Sequence, residues 1–317
     1  MFIFIPFFII IPLIFTSFLL PWIIKFGLQK RFIDKKTISK SIPNGKVRIG
    51  GIAIYISFFL SLIIALLFFN QLININLVLV FFLSTTSMFI LGLIDDIFSL
   101  GPLLRLIIQL FISTFVYLNG IKINNLFFLP VDSENILLVS FISFFVTNIW
   151  LIGTMNAINW LDGLDGLASG FTISSSIVLS LINIGNDNLL GLLLSLLILG
   201  SVSGFLKLNF YPSKLLMGDC GSNLIGFYLA LLAIISFKTE SNMNFISMII
   251  LFSIPLLDMM KVIFIRLIKS KNPFMGDESH LHHNLLNYGF NHKQSVLFMY
   301  FLFILTSTLS YGLLTKI

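Results

Sequence analysis

Four polar residues, Asn156, Asn159, Asp162 and Asp165, recur at intervals of three in the stretch NAINWLDGLDGLASG. The stretch lies between two segments apolar enough to sit in lipid. Two carboxylates and two carboxamides can hold a hydrated divalent cation, or read the hydroxyls and heterocycle of a polar ligand. Capping a helix needs only one such group. On an α-helix, steps of three drift about 60° each and spread the four residues over about half the circumference. A 3₁₀ turn would align them on one edge. Gly163 and Gly166 let backbone or ligand approach closely.

Three other clusters carry similar potential. Asp95 and Asp96 end an apolar run in LGLIDDIFSLGP. Side by side at a helix C-terminus they repel each other and face the negative end of the macrodipole. A metal ion or a Lys or Arg would relieve both problems; the plainer reading is a pair of solvated acids stopping a span. Asp219 opens an apolar run in MGDCGS, where it could N-cap a helix or bring Mg²⁺ beside bound phosphates. His280, His282 and His283 fall within four positions in GDESHLHHNLL, downstream of Arg266, Lys269 and Lys271. There is one cysteine, Cys220, so a zinc cluster has no thiolate set and no intramolecular disulfide framework exists. The histidines read better as hydrogen-bonders to phosphate or sugar oxygens.

The elements that must position these groups are membrane spans. Of 317 residues, 57% are hydrophobic and 10% charged, with a mean hydropathy of +1.04. A soluble globular domain is nearer a quarter charged, so the chain is an integral membrane protein. A bilayer-spanning helix needs roughly 20 apolar residues. Ten such runs are expected, at about 2–24, 50–69, 77–94, 103–119, 136–153, 167–184, 189–206, 222–237, 244–264 and 296–314. They form an all-α, polytopic, single domain over residues 1–317. The first run has no basic n-region or small-residue cleavage site, unlike a cleaved signal peptide. Residues 120–135 form the longest even-numbered loop and are expected to make a small hairpin. The odd-numbered loops and adjoining helix ends carry 16 of the 19 Lys and Arg. The positive-inside rule puts those loops in the cytoplasm. The basic first loop, residues 25–49, also suits anionic lipid. The net charge of +6 therefore points to membrane lipids and not to nucleic acid.

The same parity sorts the acids and histidines. Of the 13 acids, only Asp132, Glu134, Asp187 and Glu240 lie on the other side. Acids able to hold Mg²⁺, cations able to hold phosphates and amides able to hold a base thus share one face. Phosphoryl transfer needs this inventory, and its place at the membrane surface makes one substrate a lipid phosphate. An ion-coupled transporter is the alternative from another class. Transporters bury their charges near the midplane, often in two repeated halves; here the acids gather at one face and no repeat is visible.

The ordered motifs GLIDD, NAINWLDGLDGLASG, MGDCGS, PLLDMMKVIFIRLIKSKNPF and HLHH resemble the polyprenyl-phosphate N-acetylhexosamine-1-phosphate transferases, from about residue 34 to 286. HLHH preceded by NPF looks like the branch that transfers GlcNAc-1-phosphate from UDP-GlcNAc to undecaprenyl phosphate. The branch that makes the first peptidoglycan lipid usually has an uninterrupted His triplet. The resemblance implies a multi-pass enzyme of the bacterial inner membrane with its site facing the cytoplasm. It implies Mg²⁺, or Mn²⁺ in its place, on Asp219 and Asp162. Asp95 and Asp96 would bind or deprotonate the lipid phosphate, or an Asp would attack first to give a covalent intermediate. Arg105, four residues before Gln109, would neutralise phosphate. Asn156, Asn159, Asp162 and Asp165 would bind nucleotide and sugar-phosphate. Arg266, His280, His282 and His283 would contact the sugar and diphosphate. UMP would leave, and a homodimer is suggested. Within the family, the alternative donors are another UDP-amino-sugar and UDP-MurNAc-pentapeptide. Two departures bear on the donor. DKKTISKSIPN has Ile42 near an expected His, and Glu278 stands where Arg or Lys is usual before SHLHH.

Overall fold

The computed structural model describes residues 5–34, 45–69, 73–124, 136–237, 242–270 and 280–315. These form helices α1 (Ile5–Lys30), α2 (Gly51–Phe69), α3 (Ile75–Phe98), α4 (Pro102–Leu118), α5 (Ile136–Leu161), α6 (Leu167–Gly185), α7 (Leu189–Asn209), α8 (Gly218–Phe237), α9 (Asn242–Leu251), α10 (Ser253–Ile268), α11 (Leu281–Asn287) and α12 (His292–Thr315). Between α1 and α2, β1 (Ile33–Asp34) pairs antiparallel with β2 (Lys46–Val47), Ile33 opposite Val47. Eight of the helices are long and apolar enough to cross a membrane. In lipid every backbone polar group needs an internal partner, which a helix supplies along its length. Polar side chains inside the spans bond back to their own helix in the same way, as Thr85 Oγ1 does to the Phe81 carbonyl at 2.6 Å.

Where described, the ten apolar runs all become helix; several ends shift by a few residues, as α1 runs on to Lys30, and three differences bear on the site. The expected single span 244–264 is two helices, α9 and α10, bent by 70° at Phe252. Pro255 has no N–H to give the Leu251 carbonyl, and its ring crowds that carbonyl, which favours a kink or break here. The helix expected to end at 153 continues to Leu161, carrying Asn156 and Asn159 into helical positions. The helix expected from 222 begins at Gly218, which puts Asp219 in its first turn. α4, with 17 residues, is at the short end of what spans a bilayer. Of the hairpin expected at 120–135, residues 125–135 lie outside the described residues, and 120–124 form no strand.

α8 is the centre of the bundle, buried along almost all its length and packed by α3, α5, α6 and α2. Its first turn meets the last turns of α3 and α5 at one end. Gly92 on α3 makes this meeting possible: a Cβ there would collide with the backbone of Asp219 and Cys220. Small residues at such crossings let helix backbones approach closely. The segment after β2 is stitched to the loop before α8. Leu216 N–H donates to the Val47 carbonyl at 2.8 Å, and Gly50 N–H donates to the Leu216 carbonyl at 3.0 Å. Arg48 is thereby fixed beside the start of α8.

Candidate active site

The adjacent acids that end α3 point into different environments. Asp95 is buried; its Oδ1 accepts the Leu100 N–H at 2.7 Å and its Oδ2 pairs with Arg105 Nη1. Asp96 pairs with Arg48, whose Nη2 and Nε lie 2.7 and 3.1 Å from Asp96 Oδ1. Asp96 also accepts the N–H groups of Asp219 at 3.1 Å and Cys220 at 2.9 Å. It is therefore the anion at the positive end of α8. That role keeps Asp219 inside the first helical turn rather than capping it.

The end of α5 divides its residues in the same way. Asn156 and Trp160, one turn apart, line a groove with Pro102, Arg105, Gln109 and Met259, of about 250 Å³. Asn156 Nδ2 donates to Gln109 Oε1 at 3.0 Å. Asn159 and Asp162 instead line a polar cavity of about 260 Å³ with Asp34, Arg48, Asp219 and Ser222. Here Asn159 Nδ2 donates to Asp219 Oδ1 at 3.0 Å and to Ser222 Oγ at 2.7 Å. Asp162, in the turn between α5 and α6, is half-buried. Burial, then the nearby Asp219, Asp165 and Asp96 carboxylates, hold its carboxyl well above the usual carboxylate range. A larger cavity of about 500 Å³ lies at the opposite end of the bundle. Its lining has one carboxylate, Asp187, and one cation, Lys122, and lacks the acid cluster.

Asp165 does not join this cluster. Its carboxylate is buried and gripped by Lys46 Nζ at 2.8 and 2.9 Å, and it accepts the Ser213 N–H at 3.0 Å. Burial alone would raise its pKa, but the bonds from Lys46 and Ser213 outweigh that and leave it lowered. Its backbone N–H donates to His292 Nε2 at 3.1 Å. Asp165 thus ties together four separate segments.

The histidine cluster lies against the turn between α5 and α6. His280 Nδ1 lies 2.9 Å from Asp258 Oδ2, and the Leu281 N–H donates to Asp258 Oδ1 at 2.7 Å. His282 stacks parallel to His280, with ring centroids 5.5 Å apart. It is 1% exposed, and neither ring nitrogen has a hydrogen-bond partner. A Cβ at Gly163 would collide with its Nε2, so the histidine packs directly on the Asp162–Asp165 turn. Burial, with His283 and His280 alongside, lowers its pKa to about 3. His283 is half-buried, its ring 4.3 Å from that of His282. Arg266 is buried with its guanidinium 5.0 Å above the Trp160 ring. Lys271, Glu278 and residues 35–44, including Ile42, lie outside the described residues.

Sequence reasoning passed over three residues here. Arg48 was counted only among the cations of a basic loop, and Lys46 likewise. Asp258 is an acid inside an expected span, which is itself a signal of function. Among the described residues no three His, Cys, Asp or Glu side chains converge as a ready metal cage. The polar cavity offers three carboxylates, those of Asp34, Asp162 and Asp219, with an amide and a hydroxyl. Such hard oxygen donors fit a Mg²⁺ ion that keeps several waters and takes its remaining ligands from substrate phosphates. The raised Asp162 carboxyl, caused by burial and then by the neighbouring carboxylates, fits the same reading, because a bound cation would offset that repulsion.

Comparison with known proteins gives consistent results. Residues 78–237 match the model of glycosyl transferase family 4. The chain is 31% identical, over 87% of its length and 75% of the relative's, to a probable undecaprenyl-phosphate N-acetylglucosaminyl 1-phosphate transferase of Bacillus subtilis. It is 29% identical, over 81% of its length and 74% of the relative's, to the undecaprenyl-phosphate alpha-N-acetylglucosaminyl 1-phosphate transferase of Thermotoga maritima. It is also 33% identical to a phospho-N-acetylmuramoyl-pentapeptide-transferase of Caldicellulosiruptor bescii, over 68% of each chain.

Proposed function

Because the chain belongs to glycosyl transferase family 4, in the branch of the undecaprenyl-phosphate GlcNAc-1-phosphate transferases, we propose that it moves GlcNAc-1-phosphate from UDP-GlcNAc to undecaprenyl phosphate and releases UMP. It is a multi-pass membrane phosphotransferase acting on a polyprenyl phosphate. The finer reading rests on one observation: the end of α5 contributes residues to two cavities of different character. The groove has one cation, Arg105, among apolar residues from α4, α5 and α10, which suits a phosphate on an isoprenoid chain. The other cavity is polar and acidic, which suits a nucleotide-sugar diphosphate with its counter-ion. The acids sit at one end of the bundle, unlike the midplane charges of an ion-coupled transporter.

In this reading a non-bridging oxygen of the lipid phosphate attacks the sugar-bearing phosphorus of the donor. The bond from that phosphorus to the bridging oxygen breaks, and UMP leaves with that oxygen and the electron pair. Arg105 holds the lipid phosphate, and Asp95 holds Arg105. Asn159 orients Asp219; Asp219 and Asp162 would hold Mg²⁺, which supplies neutralisation of the diphosphate charge. All four oxygens of Asp95 and Asp96 already accept hydrogen bonds. This supports positioning roles for both rather than those of base or covalent nucleophile. A phosphate monoester near neutral pH is already mostly ionised, so the attack needs little base catalysis. The site faces the cytoplasm of a bacterial inner membrane, on the basic side of the chain, and residues 1–317 act as one domain.

Purified protein with Mg²⁺, undecaprenyl phosphate and labelled UDP-GlcNAc should yield a labelled lipid and UMP. A panel adding a UDP-deoxy-amino-sugar and UDP-MurNAc-pentapeptide should show UDP-GlcNAc preferred. No labelled lipid with any donor would reject the reading.

A further inference from the structure

We propose that Arg48 is a stand-in cation for this site: it neutralises Asp219 when no divalent ion is bound and passes to the donor's diphosphate when one is. The inference rests on the reading of the polar cavity as the donor site.

Arg48 grips its two carboxylates unequally. Nε and Nη2 both bond Asp96 Oδ1, at 3.1 and 2.7 Å, while Nη2 reaches Asp219 Oδ2 only at 3.3 Å. Asp96 is the fixed anchor, because it is also held by the Asp219 and Cys220 N–H groups. Asp219 is the looser partner, and its other oxygen is already taken by Asn159. A divalent ion between Asp219 and Asp162 would draw on Asp219 Oδ2 and repel the guanidinium beside it. Arg48 would then keep Asp96 and lose Asp219. Its side chain is 36% exposed and lines the polar cavity, so its remaining N–H groups would face whatever fills that space. A guanidinium fork matches phosphate oxygens in pairs. Without donor, Arg48 and the ion compete for Asp219. With donor, Arg48 has a better partner and the competition ends. Ion and diphosphate therefore bind cooperatively, each tightening the other by the same factor.

The test is Mn²⁺ binding to the purified, metal-stripped full chain, read by electron paramagnetic resonance with and without UDP-GlcNAc. Without nucleotide, Arg48→Gln should bind Mn²⁺ on the order of tenfold more tightly than the unaltered protein. UDP-GlcNAc should tighten Mn²⁺ on both proteins, because its phosphates also ligate the ion, but by about tenfold more on the unaltered protein than on Arg48→Gln. Arg48→Lys keeps the charge that anchors Asp96 but lacks the fork. It should also show a weakened nucleotide effect, and it serves if the glutamine variant does not fold. Lys207→Gln removes one exposed charge from α7 at the same end, and should leave both numbers within about twofold. Equal Mn²⁺ affinity for Arg48→Gln and the unaltered protein overturns the inference. So does a nucleotide effect that is undiminished in the Arg48 variants, or an equal tightening by Lys207→Gln. Asp219→Asn separates the two readings. If it binds Mn²⁺ as the unaltered protein does, the metal reading of the cavity fails. If it abolishes binding while Arg48→Gln changes nothing, only the role of Arg48 fails.

Discussion

Asp96 Oδ1 accepts the backbone N–H of Asp219 at 3.1 Å across 123 positions of sequence. The carboxylate that ends α3 thus completes the first turn of α8 and holds Arg48 beside it. Replacing it should be felt as structure first. Asp96→Ala leaves two N–H groups of the first turn of α8 and a half-exposed guanidinium without their acceptor. The expected cost is about 1–3 kcal/mol. Thermal unfolding in detergent should show a lower midpoint, with activity falling in parallel; an unchanged midpoint would remove this role.

Asp219→Asn keeps the shape of the same turn and removes one charge from the polar cavity. Turnover should fall on the order of 100-fold or more, the scale for losing one preorganised electrostatic group. The melting temperature should stay close to that of the unaltered protein. Near-normal turnover would contradict its assignment to the donor diphosphate and its counter-ion.

Arg105→Gln addresses the groove. Its guanidinium is the one cation lining the groove among the described residues, and it pairs with Asp95. KM for a short-chain polyprenyl phosphate should rise about tenfold, the scale of one charge-assisted hydrogen bond. KM for UDP-GlcNAc should change little. A rise confined to the donor would reverse the assignment of the two cavities.

The His282 ring stays neutral in the folded protein well below the pH at which an exposed imidazole takes a proton. Its folded pKa is about 3, below the ordinary value of 6.5. Its contribution to stability is therefore complete above about pH 6.5 and declines as the pH falls toward 3. The decline can reach about 1.4 kcal/mol per pH unit. Melting temperature measured from pH 7.5 to 4.5 should drop less for His282→Asn than for the unaltered protein. Parallel curves would show that the ring is protonated at little cost.

Gly163→Ala places a methyl against that same ring. Overfilling a packed site costs about 1–3 kcal/mol, here through a shift of His282 or of the turn that carries Asp162. KM for UDP-GlcNAc should rise several-fold while KM for the lipid phosphate holds. Unaltered donor kinetics would mean that the histidine moves without consequence for the cavity.

What was legible in the sequence divides along a physical line. Apolar length is a local sum, so the spans could be read directly, even the 17-residue α4. A bend is not in that sum: Pro255 stands beside the break at Phe252, but Pro12 and Pro21 leave α1 unbroken, so a proline in an apolar run does not by itself announce one. The reacting face was legible because lipid excludes charge, which leaves acids and histidines at the ends of spans. Partnerships were not. Lys46 and Asp165 are 119 positions apart, and nothing around either announces the other. Asp165 therefore read as a ligand-binding acid, while its bonds make it a tie between segments. Arg48 was hidden in a loop whose basic character has a sufficient cause in membrane orientation. Asp95 and Asp96 read as a pair, and only the helix ends around them show that they serve different cavities.

The division of α5 has a consequence for distance. Asn156 belongs to one compartment and Asn159 to the other, three residues along a single rigid rod. That is about 4.5 Å of rise. In the proposed reaction, a headgroup bound beside Asn156 and a diphosphate bound beside Asn159 would sit on neighbouring faces of this rod, about 60° apart. The stiffness of one helical turn would then set their spacing.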